Sequence, residues 1–156
     1  MIKYVPELTD IVLEEIPGRV TLAVEISNCR GSCIGCHSPF LKQDIGEELT
    51  PETVDRLIAD NFGVNCFLLL GEGRDEAALL RIAAHLREKH PGIERAVYSG
   101  RPEVGPEIYA AFDYVKVGPY VAELGPLNER TTNQRMYYHG EDITSRFWHK
   151  GLEHNR

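Results

Sequence analysis

An unbroken apolar run at residues 64–70, VNCFLLL, constrains the fold of this chain more than any other segment. A strand with one face in water would alternate apolar and polar residues, so this run is typical of a strand buried on both faces of a parallel sheet. The tripeptide GEG ends the run, and residues 75–89 then repeat apolar side chains at helical spacing until a Pro-Gly pair. A buried strand followed by such a helix is the repeating unit of parallel α/β proteins.

The same alternation continues on both sides of this unit. Residues 19–26 and 113–117 are rich in β-forming side chains, and residues 96–99 predict a further short strand. Residues 51–61 follow Thr50 with a first-turn proline, which is a helix start, and residues 106–112 predict a short helix. The sequence therefore predicts an α/β fold with a mostly parallel sheet.

The length of the chain limits how much of a barrel it can form. Residues 1–156 are predicted to be a single domain, with an N-terminal extension at 1–17 and a mobile tail at 150–156. An eight-unit barrel needs roughly 30 residues for each βα unit, more than this chain offers, so an open partial (βα) barrel is expected. Residues 137–142, YYHGED, predict a hairpin turn between two short strands.

The charge of the chain argues against several classes of partner. The net charge is −7 and the basic residues are scattered, whereas phosphate binding needs a concentrated positive surface, so nucleic acid is not an expected partner. No apolar run approaches the roughly 18 residues of a membrane span, and the acidic N-terminus is unlike a targeting segment. The expected location is the cytoplasm, where reducing conditions favour metal binding or redox chemistry by clustered cysteines.

Three of the four cysteines lie in one segment, NCRGSCIGCHSPF, directly after the first predicted strand. Cys29, Cys33 and Cys36 cannot all pair with one another, and Cys66 lies in the apolar run as an ordinary buried thiol, so a disulfide is the weakest interpretation. A zinc site would add His37, although structural zinc sites usually draw on two separated pairs of ligands. The third interpretation is an iron–sulfur cluster on three thiolates, which leaves one iron with an open coordination position.

Four further polar or glycine positions are predicted near the same edge of the sheet. Gly71, Glu72, Ser99 and Lys116 lie at the ends of three other predicted strands. The carboxyl ends of parallel strands share one edge, and ligands of α/β proteins bind there. We therefore expect these residues and the cysteine segment to converge.

Several motifs together carry a family resemblance. The Cys-x3-Cys-x2-Cys spacing after the first strand resembles the signature of the radical S-adenosylmethionine superfamily, and CHSP is similar to the activases of glycyl radical enzymes. The motifs GEG, YSG, DYVKVGPY, TTNQRMYY and DITSRFW resemble those of the activating proteins of anaerobic ribonucleoside-triphosphate reductases. The resemblance extends from about residue 17 to 148 and implies an open partial (βα) barrel of the radical S-adenosylmethionine type.

The resemblance also implies two cofactors and their ligands. Cys29, Cys33 and Cys36 would hold a [4Fe-4S] cluster. Gly71 and Glu72 would meet the amino group of S-adenosylmethionine, because a carboxylate suits an ammonium and glycine permits close approach.

Three more residues are assigned to the cofactor site. Ser99 and Lys116 would reach the ribose or the carboxylate of S-adenosylmethionine, and His37 would pack or hydrogen-bond beside the last cysteine. No catalytic side chain is implied beyond the cluster and the cofactor.

The implied activity is radical generation on another protein. The reduced cluster would cleave S-adenosylmethionine, and the resulting 5′-deoxyadenosyl radical would take a hydrogen atom from a glycine of anaerobic ribonucleoside-triphosphate reductase. A flavodoxin- or ferredoxin-type protein would supply the electron. The polar residues Asn133, Gln134 and Arg135 would either fix a loop or meet the glycine-bearing loop of this partner.

Other hypotheses remain open at this point. The chain could activate a different glycyl radical enzyme or act on a small molecule by the same chemistry. It could also be a non-enzymatic zinc or iron–sulfur module, which would explain the cysteines but leave Glu72 at its strand end without a role.

Overall fold

The computed structural model describes residues 1–13, 15–16, 18–27 and 45–148. Nine strands and three α-helices occur within these residues. In chain order they are β1 (Lys3–Tyr4), β2 (Asp10–Val12), β3 (Thr21–Glu25), β4 (Glu47–Glu48), α1 (Pro51–Asp60), β5 (Cys66–Leu70), α2 (Glu76–Lys89), β6 (Glu94–Tyr98), α3 (Pro106–Ala111), β7 (Tyr114–Val117), β8 (Arg135–Tyr138) and β9 (Glu141–Asp142). Short 3₁₀ helices occur at Pro6–Leu8 and Thr144–Phe147.

Seven of the described strands form one sheet in the order β2-β3-β5-β6-β7-β8-β9, and β1 pairs separately with β4. The four central strands β3, β5, β6 and β7 are parallel, as predicted. The prediction of a mostly parallel sheet is wrong at both edges, because β2, β8 and β9 pair antiparallel. The β8–β9 hairpin has a two-residue loop, and a loop so short cannot make the crossover that parallel pairing requires. Within the described residues the sheet is open, with β2 and β9 as its edges.

The predicted helices begin where their capping residues place them. The Thr50 side chain accepts a hydrogen bond from the Thr53 amide at 3.1 Å, and the Asp75 side chain accepts one from the Ala78 amide at 3.0 Å. Both bonds satisfy amides that the first helical turn leaves without partners. In the described part of the chain, no helix is long and apolar enough to cross a membrane.

The predicted hairpin at residues 137–142 is confirmed. Its turn residues His139 and Gly140 have φ of 49° and 84°. Positive φ at both central residues matches the twist of the two flanking strands.

The N-terminal extension also contributes to the sheets, which the sequence did not predict. Its strand β2 pairs with the first residues of β3, and Tyr4 in β1 is 1% exposed. Residues 1–12 therefore pack against the domain and cover one edge of the parallel sheet.

The two faces of the sheet are covered differently. All three helices pack against one face, and their buried side chains meet alternate residues of the parallel strands. The buried residues of α1, α2 and α3 in this cluster are Val54, Leu57, Ala78, Leu79, Ile82, Ala83, Leu86 and Ile108. The other face carries a smaller cluster that includes Leu68 and Tyr98, covered by Ile16, Leu127 and Ile143. Within the described residues, the parallel strands thus follow chain order with the three α-helices on the same side.

The parallel strands all end at one edge, which we call the carboxyl-end rim. It comprises residues 26–27 after β3, 71–73 after β5, 99–101 after β6 and 118–119 after β7. Residues 131–134 reach the same rim, because β8 runs antiparallel to β7 and Arg135 pairs with Val117.

We expect Phe67→Ala to lower the free energy of unfolding by about 3–5 kcal/mol, because the Phe67 side chain is 0% exposed in the middle of β5. Urea denaturation of the wild-type and variant chains measures this difference. Phe62→Ala is the matched control, since Phe62 is 98% exposed and its loss should change stability by less than about 0.5 kcal/mol. Equal effects of the two substitutions would contradict the central position of β5.

Candidate functional site

The predicted ligands Cys29, Cys33, Cys36 and His37 lie outside the described residues. The described residues nearest to these ligands along the chain are Ser27 on one side and Ile45 on the other. Ser27 is 1% exposed, and its hydroxyl donates a hydrogen bond to the carbonyl oxygen of Ile45 at 2.6 Å. The chain therefore leaves the carboxyl-end rim at residue 27 and is fastened to the same point when it returns at residue 45.

Ile26, two residues before the cysteine segment, lies beside Gly71. The Ile26 amide donates to the Leu70 carbonyl at 3.2 Å, which continues the pairing of β3 with β5. Gly71 has φ of +126°, and a Cβ there would lie 3.3 Å from both the Cβ and the carbonyl oxygen of Ile26. Glycine thus permits a backbone conformation and a close approach that other residues would strain.

Glu72 is the most enclosed acidic side chain at the carboxyl-end rim, at 7% exposure. Arg101 holds it with two charge-assisted bonds, from Nε to Oε2 at 2.9 Å and from Nη2 to Oε1 at 2.6 Å. The Ser99 hydroxyl also donates to Oε2. The carboxylate beside Arg101 raises the pKa of the guanidinium further above its usual value.

Of the predicted residues, Gly71, Glu72 and Ser99 come together. Ser99 is 3% exposed, and besides bonding Glu72 its Oγ accepts from the Arg101 amide at 3.1 Å. Arg101 itself was not predicted. Its sequence signal is a pair of opposite charges after neighbouring strands. Arg101 comes two positions after the predicted strand at 96–99, and the acidic Glu72 comes two positions after the predicted strand at 64–70.

The Glu72 carboxylate keeps capacity for another donor. Among the described residues, Oε2 accepts two hydrogen bonds and Oε1 accepts one, whereas an ionised carboxylate offers about four acceptor positions. The adjacent Arg101 is 31% exposed and presents the opposite charge. A neighbouring carboxylate and guanidinium are complementary to the ammonium and carboxylate groups of an amino acid.

Lys116 lies against a tyrosine ring near the end of β7. Its Nζ lies 4.1 Å from the centroid of the Tyr98 ring, on the face of the sheet opposite the three α-helices. The Tyr98 hydroxyl donates to the Glu15 carbonyl at 2.7 Å, and burial raises the tyrosine's pKa well above its usual value. Strand pairing places Lys116 level with Tyr98, and Glu25 lies two strands further along the same row.

Glu25, at the end of this row, has a carboxyl group with a raised pKa. Burial, and to a lesser extent the charge of Glu15, raise the pKa of Glu25. The row therefore presents an ammonium and a partly buried carboxyl just below the carboxyl-end rim, on the opposite face from the helices.

The polar residues of the TTNQR motif fasten the loop after β7. The Gln134 amide group donates to the Gly118 carbonyl at 3.3 Å, the Asn133 amide group to the Pro119 carbonyl at 3.0 Å, and the Thr132 hydroxyl to the Gly125 carbonyl at 3.1 Å. Of the two roles predicted for Asn133 and Gln134, these bonds support fixing a loop. None of the described residues bonds the buried Oδ1 of Asn133.

The prediction that Cys66 is an ordinary buried thiol is confirmed. It is 0% exposed, and burial raises the pKa of its thiol to about 12. Cys66 is the first residue of β5, so the length of the strand separates it from the carboxyl-end rim. Four steps of about 3.3 Å make this distance roughly 13 Å.

Comparisons with protein-family models, with curated proteins and with solved structures find no match for the chain. What the carboxyl-end rim does must therefore follow from its own residues and their geometry.

We expect Arg101→Met to lower the free energy of unfolding by about 1–3 kcal/mol, because it leaves the buried Glu72 carboxylate without its charged partner. The double variant Glu72→Gln/Arg101→Met should recover part of this loss. Urea denaturation of both single variants and the double variant measures the coupling. Arg146→Met, at an exposed position, is the control. Strictly additive effects would contradict a direct pair.

Proposed function

We propose that this chain is a radical S-adenosylmethionine activase that generates a glycyl radical on an anaerobic ribonucleoside-triphosphate reductase. One observation carries the proposal. Ser27 and Ile45, the described residues on either side of the segment with Cys29, Cys33 and Cys36, are hydrogen-bonded to each other at the carboxyl-end rim, to which Gly71 and the buried Glu72 also belong. Cluster ligands and a cofactor-binding carboxylate would therefore share one edge of the sheet.

The strand arrangement supports this proposal. Among the described residues, parallel strands follow chain order with all three α-helices on one face, as an open partial (βα) barrel requires. We infer that the face opposite these α-helices is the concave one, and that Tyr98 and Lys116 line its upper part. An open edge would let a partner protein bring its backbone to the cofactor.

The donor set of the cysteine segment suits an iron–sulfur cluster. Three thiolates are soft ligands that favour such clusters. Cys66 does not complete the set, since it is buried at the far end of β5. A bound [4Fe-4S] cluster would supply one electron to the sulfonium of S-adenosylmethionine. Cys29, Cys33 and Cys36 would hold that cluster and leave one iron open to the cofactor.

The Glu72–Arg101 pair is complementary in charge to the methionine moiety of S-adenosylmethionine. Glu72 would accept its ammonium at the remaining position on Oε1, and Arg101 would attract its carboxylate. Ser99 would act by holding Glu72, with which it is hydrogen-bonded. The pair is formed before the cofactor arrives, so these side chains need little reorganisation on binding.

The partner and the electron donor rest on the family resemblance. Asn133 and Gln134 would act indirectly, by fixing the loop after β7 that borders the approach to the cofactor. Arg135, exposed at the start of β8, is the member of the motif that would meet the reductase.

Anaerobic reconstitution with iron and sulfide should produce a brown protein with about four irons per chain. Alanine at Cys29, Cys33 or Cys36 should abolish the cluster. Cys66→Ala should retain the full iron content, because the Cys66 thiol is buried away from the carboxyl-end rim. Iron analysis and electron paramagnetic resonance of the reduced protein measure both. A colourless chain with one tightly held zinc that is lost when Cys29, Cys33 and Cys36 are replaced would refute the proposal and support the zinc module.

Glu72→Gln should weaken S-adenosylmethionine binding by about tenfold or more while the cluster stays intact, because a neutral amide attracts an ammonium less than a carboxylate does. The measurement is the change in the resonance spectrum of the reduced cluster as the cofactor is titrated. Glu88→Gln is the control, since the Glu88 side chain is 76% exposed at the end of α2. Identical titrations of the two variants would exclude a role for Glu72.

A separate assay tests which protein receives the radical. The reduced, cofactor-loaded protein is mixed with an anaerobic ribonucleoside-triphosphate reductase, and the resonance signal of a glycyl radical is followed. A signal on another glycyl radical enzyme alone would reassign the partner, and cofactor cleavage with no radical on any protein would point to a small-molecule substrate.

A further inference from the structure

The described residues contain a second group of metal-ligating side chains, far from the carboxyl-end rim. Asp55 lies in α1, His85 lies in α2, and His90 caps the end of α2. Their potential ligand atoms all lie within 4.8 Å of one another. We propose that Asp55, His85 and His90 form a binding site for a divalent transition metal ion, with Zn²⁺ as the best-suited metal, and that this ion clamps α1 to α2.

Both imidazoles point at the same carboxylate oxygen. The Nε2 atoms of His85 and His90 each lie 2.7 Å from Oδ1 of Asp55, and the two rings are 6.0 Å apart in an edge arrangement. Two ring nitrogens and a carboxylate directed at one point are the ligand set that zinc takes with a water in the fourth position.

Little movement is needed to admit the ion. Tetrahedral bonds of about 2.0–2.1 Å set neighbouring ligand atoms about 3.3 Å apart. The two oxygen–nitrogen separations of 2.7 Å would have to widen by roughly half an ångström, and the two ring nitrogens, which lie within 4.8 Å of each other, would have to settle at about the tetrahedral spacing. Rotation of the three side chains accounts for shifts of this size.

The backbone behind the three ligands is fixed. Val54 and Leu86, the neighbours of Asp55 and His85, are both 0% exposed in the core between the helices and the sheet. The ligands themselves remain accessible, with side-chain exposures of 48% for Asp55, 17% for His85 and 21% for His90. An ion can therefore enter from solvent without opening the core.

Another group of possible metal ligands, Glu94, Asp113 and His139, is a weaker candidate than the Asp55 group. Arg19 contacts Glu94, and Arg95 contacts Asp113 at 3.6 Å. A cation at that place would have to displace or approach two guanidinium groups, whereas Asp55 is paired with the two imidazoles of His85 and His90.

The Asp55 site is separate from the proposed cofactor site. Helix α2 begins at Glu76, near the carboxyl-end rim, and runs back along the sheet. His85 lies nine residues along it, which is roughly 13 Å at 1.5 Å per residue. The two helices that the ion would join are those that precede and follow β5, so its effect is on the stability of the helix layer.

The test uses the full chain with Cys29, Cys33 and Cys36 replaced by alanine, so that thiolates do not compete for zinc. In this background we expect one equivalent of Zn²⁺ to bind and the melting temperature to rise, because the ion binds the folded state. His85→Gln/His90→Gln should lose this zinc, and Asp55→Asn should weaken binding by about tenfold or more. His139→Gln, which alters the other candidate group, should bind as the background does.

A site-resolved readout accompanies the titration. Zinc should protect His85 and His90 from modification by diethyl pyrocarbonate, mapped by mass spectrometry of peptides, and leave His139 reactive. Circular dichroism establishes that each variant is folded. Zinc uptake that is unchanged in His85→Gln/His90→Gln, or absent in the background chain, would overturn the proposal and leave these side chains as a hydrogen-bonded contact between helices.

Discussion

The backbone pairing of β5 with β3 on one side and with β6 on the other is the constraint on which the rest of the structure depends. Each pairing is parallel and in continuous register, from Thr21 opposite Cys66 to Leu70 opposite Tyr98. Parallel register makes all three strands end at the same level, so the residues that follow them meet at one edge. The apolar side chains of β5 are buried on both faces, and this burial allows polar groups to be concentrated just beyond its end.

The free-energy cost of burying polar groups at this edge is offset by hydrogen-bond partners beside them. A carboxylate as enclosed as Glu72 would be destabilising without partners, and Arg101 and Ser99 both supply hydrogen bonds to it. An apolar pair of similar volume would stabilise the fold as well, so stability alone does not explain charged groups here. The zwitterion-binding site that we propose would explain them, since the charges of such a site have to be held apart from water and in fixed positions.

Much of the fold could be predicted, because its signals are local. The apolar run of β5, the caps Thr50 and Asp75, and the positive-φ turn at Gly140 each act within a few residues. The antiparallel edge at β2 could not be predicted, because β2 is a three-residue strand whose side chains are mostly exposed. Its position depends on backbone pairing with β3, for which side-chain periodicity carries no signal.

The candidate site also contains residues that could be predicted from the sequence and residues that were not. Gly71, Glu72 and Ser99 could be predicted, since each follows a recognisable strand and parallel strands must end together. Arg101 was missed, because it lies in a turn beyond the strand end, and its bonds to Glu72 are what show that its side chain belongs to the site. The contact of Asp55 with His85 joins residues thirty positions apart on two helices, and helical periodicity assigns all of them simply to exposed faces.

Position on the sheet also separates the cysteines of this chain into two kinds. Cys66 starts β5, where packing on both sides raises the pKa of its thiol to about 12 and keeps it protonated at any physiological pH. In the sequence, Cys29, Cys33 and Cys36 come after the opposite end of the neighbouring strand β3, and the described residues at that end include Gly71 and the guanidinium of Arg101. Cysteine binds metals as the thiolate, and positive charge favours that form. Parallel strand direction therefore separates Cys66 from the edge of the sheet after which the three-cysteine segment begins, and this edge is where ligands of α/β proteins bind.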